Sequence, residues 1–166
     1  LANSLRYDHM GMVFSPQGIP RHYGQGFFYR PFKGKVMQWS AVTAACCITI
    51  RERFLDFSGF DELFVNGCED IDLCLRMRED GLFHYVVHDS VVYHIKCASH
   101  GRLDHNMQNE AKFLERWEKK IISHYFPSDC RRYVSWYLLR SFFNPRTLKI
   151  KLILESLWLL ISKARK

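Results

Sequence analysis

The run Asn66-Gly67-Cys68-Glu69-Asp70-Ile71-Asp72-Leu73-Cys74-Leu75-Arg76 decides how this chain is read. Acids crowd its start, Arg76 and Arg78 follow, and Gly81 closes it. A helix dipole favours that order of charge, and a glycine just past the last turn stops a helix. The run therefore predicts a helix ending near Gly81. On such a helix Glu69 and Asp72 share a face, while Asp70 points about 100° away. Asp72 can pair with Arg76 at i,i+4, which is a structural role worth a few tenths of a kcal/mol. An anion at Asp70 is stabilised by the dipole and by the free amides of the first turn. A carboxylate so placed, facing a cleft, suits a general base. The same acids also serve as plain helix caps. Asp70-x-Asp72 is not a chelating pair, because carboxylates at i,i+2 on a helix diverge by about 200°.

Outward from this run, Val42–Ile50 is small, apolar and β-branched, and reads as a buried strand. A short helix follows from Arg51 and ends near Gly59. Strands are expected at Leu82–Val87 and Ser90–Ile95, with a turn at His88-Asp89. His94, at a strand end beside the loop Lys96-Cys97-Ala98-Ser99-His100-Gly101, is a candidate metal ligand. A zinc set of Cys68, Cys74, His94 and Cys97 has no ordinary zinc spacing. Met107, Ala111, Leu114, Trp117 and Ile121 recur at helical spacing and predict a helix over about 104–125, stopped by Pro127. Two further helices are expected at about 131–142 and 147–164. Upstream, residues 1–35 are rich in Gly and Pro, and only Met12–Phe14 is strand-like. Walker, G-x-G-x-x-G and nucleophile-elbow sequences are absent.

The chain has 166 residues, 48% hydrophobic and 15% aromatic. That composition excludes intrinsic disorder and fits one domain or one lobe of a larger one. Opening on Leu1 without a charged-then-apolar leader, the sequence reads as lacking a retained signal peptide and as a processed product or fragment. Six cysteines form no CxxC pair, so reduced thiols and a cytosolic compartment are expected. The net charge is +7, and it is uneven. Residues 1–130 carry 15 Lys/Arg and 16 Asp/Glu, whereas 131–166 carry nine Lys/Arg and the single acid Glu155. A near-neutral body argues against nucleic acid as a partner, and the basic tail points to an anionic partner of its own.

The pieces together resemble the C-terminal half of glycosyltransferase family 2. They are Val42-Thr43-Ala44-Ala45-Cys46, Arg51, Phe54, Ser58-Gly59-Phe60-Asp61-Glu62, the Glu69–Arg76 run, Gly81, Val92-Tyr93-His94, Ser99 and Gly101. The likeness covers about residues 36–117; His9 and Gly11 weakly resemble a segment that precedes it in longer members. It implies an α/β architecture: a partial GT-A fold over 1–130, carrying the acceptor side, followed by C-terminal helices over 131–166. The N-terminal nucleotide-binding half, with its metal-binding Asp-x-Asp, has no counterpart here, so the chain alone is expected to be incomplete and inactive. The implied activity is inverting transfer from a nucleotide-sugar donor to a glycan or lipid-linked acceptor in cell-surface polysaccharide synthesis. Asp70 would deprotonate the acceptor hydroxyl and Glu69 would shape the acceptor site. Ala44, Ala45, Arg76, Lys96 and Ser99 would line the substrate cleft. His94 would contact Mg2+ or Mn2+, or the diphosphate. Ala44 stands where the family usually has glycine. The alternative is a non-catalytic, membrane-associated binding remnant of such a domain.

Residues 148–161 hold only short uninterrupted apolar runs, Leu152–Leu154 and Leu157–Ile161. A spanning helix needs about 20 apolar residues. Apolar bulk, one tryptophan and basic ends suit a membrane interface instead. The expected location is therefore cytoplasmic, peripheral at the inner face of the cell membrane. A packed C-terminal helix is the other reading.

Overall fold

Alternation along two short segments builds the sheet nearest the Glu69–Arg76 run. Strand β3 (Val36–Trp39) pairs antiparallel with β4 (His84–Val87), matching Val36 to Val87 and Trp39 to His84. One face turns Met37, Trp39, His84 and Val86 inward; the other leaves Val36, Tyr85 and Val87 at least half exposed. A second antiparallel pair joins β1 (Met12–Phe14) to β2 (Pro20–His22). All three residues of β1 are buried. The computed structural model describes residues 6–93, 104–144 and 149–164. Its architecture is mixed α/β, with both sheets two-stranded among those residues.

Helix α1 (Arg51–Asp56) precedes the quoted run, and α2 (Glu69–Glu79) contains most of it. α2 buries Ile71 through Leu75 and Met77, and ends before Gly81, whose φ of +79° needs a glycine. Helices α3 (Asn106–Lys120) and α4 (Phe126–Phe143) are joined by a wide π turn at Ile121–Tyr125. Pro127 therefore does not end the helical path. It sits in the first turn of α4, and the widened turn before it accommodates the ring. α4 packs on β1 and shares its core, with Tyr133, Val134, Trp136 and Tyr137 buried. The packing is thus continuous across position 130/131. α5 (Ile150–Ala164) lies against α4.

Three further expectations change. Val42–Ile50 is not a buried strand. Beyond Ala41 the chain makes one 3-10 turn, Ala44–Cys46, and stays open, with Ile48 99% exposed. Among the described residues β3 pairs only with β4, so no adjacent strand there supplies partners for this backbone. Side chains supply partners instead: Ala45 N donates to Thr43 Oγ1, Ala44 N to Asp70 Oδ2, and Val42 pairs through its N–H and C=O with the Cys74 thiol. Residues 90–93 form no strand, and the remainder of that segment lies outside the described residues. On α3 the inward stripe is Asn109, Phe113 and Trp117, continuing to Ile121, while Met107 and Ala111 face water. A buried asparagine lies outside what an apolar pattern detects. Its amide donates to Val65 O at 2.7 Å and its carbonyl accepts from Val65 N at 3.2 Å.

Candidate active site

Asp72 fixes the helix that presents the site. Its carboxylate is wholly buried at 0% exposure. Oδ2 accepts from Arg76 Nε at 2.8 Å. Oδ1 accepts from Arg116 Nη1 and from the Trp117 indole N–H, each at 2.8 Å. Arg76 also donates to the carbonyls of Phe57 and, at 2.7 Å, Gly59. Arg116 reaches Asp61 Oδ2 at 2.8 Å. The Leu63 amide and Arg116 hold the Asp61 carboxyl below its usual range, and Asp61 in turn raises the Arg116 guanidinium. So Gly59, Asp61, Asp72 and Arg76 of the motif form one frame behind α2. Sequence reasoning anticipated the Asp72–Arg76 pair and missed Arg116 and Trp117, which stand more than forty residues away.

Glu69 and Asp70 stand outside that frame. Asp70 is half-buried at the head of α2. Its Oδ2 accepts from Ala44 N at 2.9 Å and its Oδ1 from Ile71 N at 2.8 Å. The 3-10 turn at Ala44 is thereby tied to the helix start, and two of the predicted site residues meet. The Glu69 Oε2 atom is buried and has no hydrogen-bond partner among the described residues. Cys74, on the same helix, is buried in the core. Burial pushes its thiol up to about 12, with Asp70 and Cys47 adding to the effect. Burial also raises the Cys47 thiol, reinforced by Asp70. Both thiols are therefore poor thiolate donors beside this carboxylate.

The backbone leading into α2 is strained. Ser58, Asn66 and Cys68 have φ of +58°, +56° and +75°, and they are the positive-φ residues other than glycine among those described. Each such conformation costs of order 1–3 kcal/mol, and such residues concentrate at functional sites. Cys68 stands at the N-cap of α2, and its side chain makes no capping hydrogen bond.

The remaining predicted residues divide. Ala45 is exposed, and its amide donates to Thr43 Oγ1 at 3.4 Å. Arg76 belongs to the structural frame. His94, Lys96 and Ser99 lie outside the described residues. Among the described residues no group of three or more His, Cys, Asp or Glu side chains is placed to hold a metal ion. A cavity of about 320 Å³ lined by Arg6, Phe27, Arg140 and Asn144, among others, does not include Asp70.

Comparison with known proteins yields little. The chain is 34% identical over 108 residues to "Uncharacterized protein y4gI" of Sinorhizobium fredii. The match covers 60% of this chain and 12% of that protein's length. No family model matches the chain. No solved structure matches it.

Proposed function

We propose that this chain carries the acceptor side of an inverting glycosyltransferase active site of GT-A type, with Asp70 as the base. The observation that supports this reading is the division of labour among the motif's charges. The ion-pair frame uses Asp61, Asp72, Arg76 and Arg116, and it leaves Glu69 and Asp70, both half-buried, at the head of the helix. Two backbone amides orient the Asp70 carboxylate, one on each oxygen. A carboxylate oxygen can accept a second hydrogen bond, here from the acceptor hydroxyl.

In the reaction, the hydroxyl proton passes to an Asp70 oxygen as the acceptor oxygen attacks the anomeric carbon of the nucleotide-sugar. The bond from that carbon to the diphosphate breaks, and its electron pair leaves with the nucleotide diphosphate. Attack from the face opposite the leaving group inverts the anomeric centre. Glu69, whose Oε2 is buried without a hydrogen-bond partner among the described residues, would shape the wall of the acceptor site. Mg2+ or Mn2+, when bound, neutralises charge on the departing diphosphate. His94, which lies outside the described residues, would contact that ion or the diphosphate.

A screen of nucleotide-sugars with the complete gene product tests the reading. Sugar transfer, or slow donor hydrolysis, that disappears in Asp70→Asn is the expected result. No turnover with any donor, or full turnover in Asp70→Asn, would overturn it in favour of a binding remnant or another base.

A further inference from the structure

α5 carries apolar side chains on two sides, and the body of the protein uses one of them. Leu152 and Ile153 pack on the core. Gln17 Nε2 donates to Glu155 Oε2 at 3.4 Å, and Lys149 N donates to Tyr137 Oη at 3.1 Å. These contacts fix how the helix is rotated. On the other side Ile150, Leu154, Leu157, Trp158 and Ile161 are 42–70% exposed. At about 100° per residue these five fall within an arc of about 100°, and Leu152 and Ile153 fall outside it. Over eleven residues the stripe runs about 16 Å along the helix. Packing among the described residues does not account for it.

Charge indicates what covers it. Lys151 borders the arc beside Trp158 and is exposed, as is Lys149 just before the helix. Beyond residue 130 the chain has nine basic residues against Glu155 alone. An apolar stripe with an exposed tryptophan, edged by lysines, is the pattern of a helix lying in the plane of a lipid surface. Anionic headgroups attract the lysines, and the indole sits at their level. No helix among the described residues is long and apolar enough to cross a membrane.

We infer that the outer stripe of α5 seats this protein on an anionic membrane surface, with the helix axis in the membrane plane. The inference does not depend on Asp70 chemistry.

The test uses the intact chain with vesicles of phosphatidylcholine alone and of phosphatidylcholine with phosphatidylglycerol. Trp158 is a built-in reporter, because Trp39, Trp117 and Trp136 are buried at 1%, 7% and 2% exposure. Co-sedimentation with the anionic vesicles at low salt, a blue shift of tryptophan emission and release at high salt are expected. The double variant Leu154→Gln, Leu157→Gln keeps the reporter and changes exposed positions, so its circular dichroism should match wild type. It should bind about tenfold more weakly or worse. No vesicle binding by the wild type, equal binding to both vesicles, or unchanged binding by the variant would overturn the inference. So would a concentration-dependent dimer that the variant dissolves, seen without vesicle binding.

Discussion

Trp117 donates its indole N–H to Asp72 Oδ1 at 2.8 Å across a separation of 45 residues. This bond, with Arg116 on the same oxygen, locks α3 onto α2. Removing the charge therefore affects two helices and leaves Arg76, Arg116 and Trp117 without their shared acceptor.

Asp72→Asn should lower stability by about 2 kcal/mol, and Asp72→Ala by about 3–5 kcal/mol, because a fully buried hydrogen-bonded carboxylate is lost. Both arginines are partly exposed, which keeps the figures below those of a sealed ion triad. Urea unfolding with an unchanged m-value is the measurement. Loss of only a few tenths would mean that the Arg76 pair alone matters.

Asp129 and His9 give the stability profile two opposing slopes. Burial raises the Asp129 carboxyl from 3.8 to about 6, against the pull of Ser40 and Arg132. The native state then holds a proton that the unfolded chain releases. Stability should fall as pH rises from about 4 to about 6, by of order 3 kcal/mol. His9 is lowered from 6.5 to about 3 by burial, then by His22 and His88. Its native state releases the proton, so its part rises with pH over about 3 to 6.5. Asp129→Asn should gain on wild type between about pH 4.5 and about pH 7, and His9→Gln should lose its rising part. A difference between Asp129→Asn and wild type that does not vary with pH would show that Asp129 titrates normally.

The sequence makes α2 legible because its charge order and Gly81 are local signals. The Asp72–Arg76 pair follows from helical spacing. Its stability worth does not, since the partners that bury Asp72 arrive from residues 116 and 117. Val42–Ile50 has the composition of an inner strand, yet a strand needs neighbours, and among the described residues β3 has only β4. Pro127 reads as a stop because a sequence pattern carries no sign of a widened turn. Ala44 and Asp70 are legible as types, but their 2.9 Å contact joins segments 26 residues apart.

Gly11 has φ of +141°, and a Cβ there would fall 2.2 Å from the Trp39 ring. Trp39 is 1% exposed and also lies under Arg132, with the guanidinium carbon 4.6 Å from its ring centroid. The indole has no room to retreat. Gly11→Ala should cost about 3 kcal/mol from backbone strain and overpacking combined. A thermal midpoint within error of wild type would show that β1 can move off Trp39.

Ala44 and Asp70 supply the sharpest test of the proposed chemistry, because the contact runs through a backbone amide. In the complete gene product, Asp70→Asn should cut turnover by about 10²-fold or more, with the fold intact by circular dichroism. Ala44→Gly keeps the amide and should stay near wild type, as expected if the methyl group is tolerated in the cleft. Ala44→Pro removes the N–H at the first position of the 3-10 turn, where the proline φ is acceptable. Thr43 already has the extended backbone that a following proline requires, at φ −86° and ψ 144°. Oδ2 would then lose its orienting donor while the carboxylate itself remained. If Ala44 is a positioning residue, Ala44→Pro should lower kcat about tenfold with little change in KM for the nucleotide-sugar, and Asp70→Asn should mask its effect when the two are combined. Equal and additive losses would place Ala44 and Asp70 in separate roles, and a pure KM effect would assign the turn to donor binding.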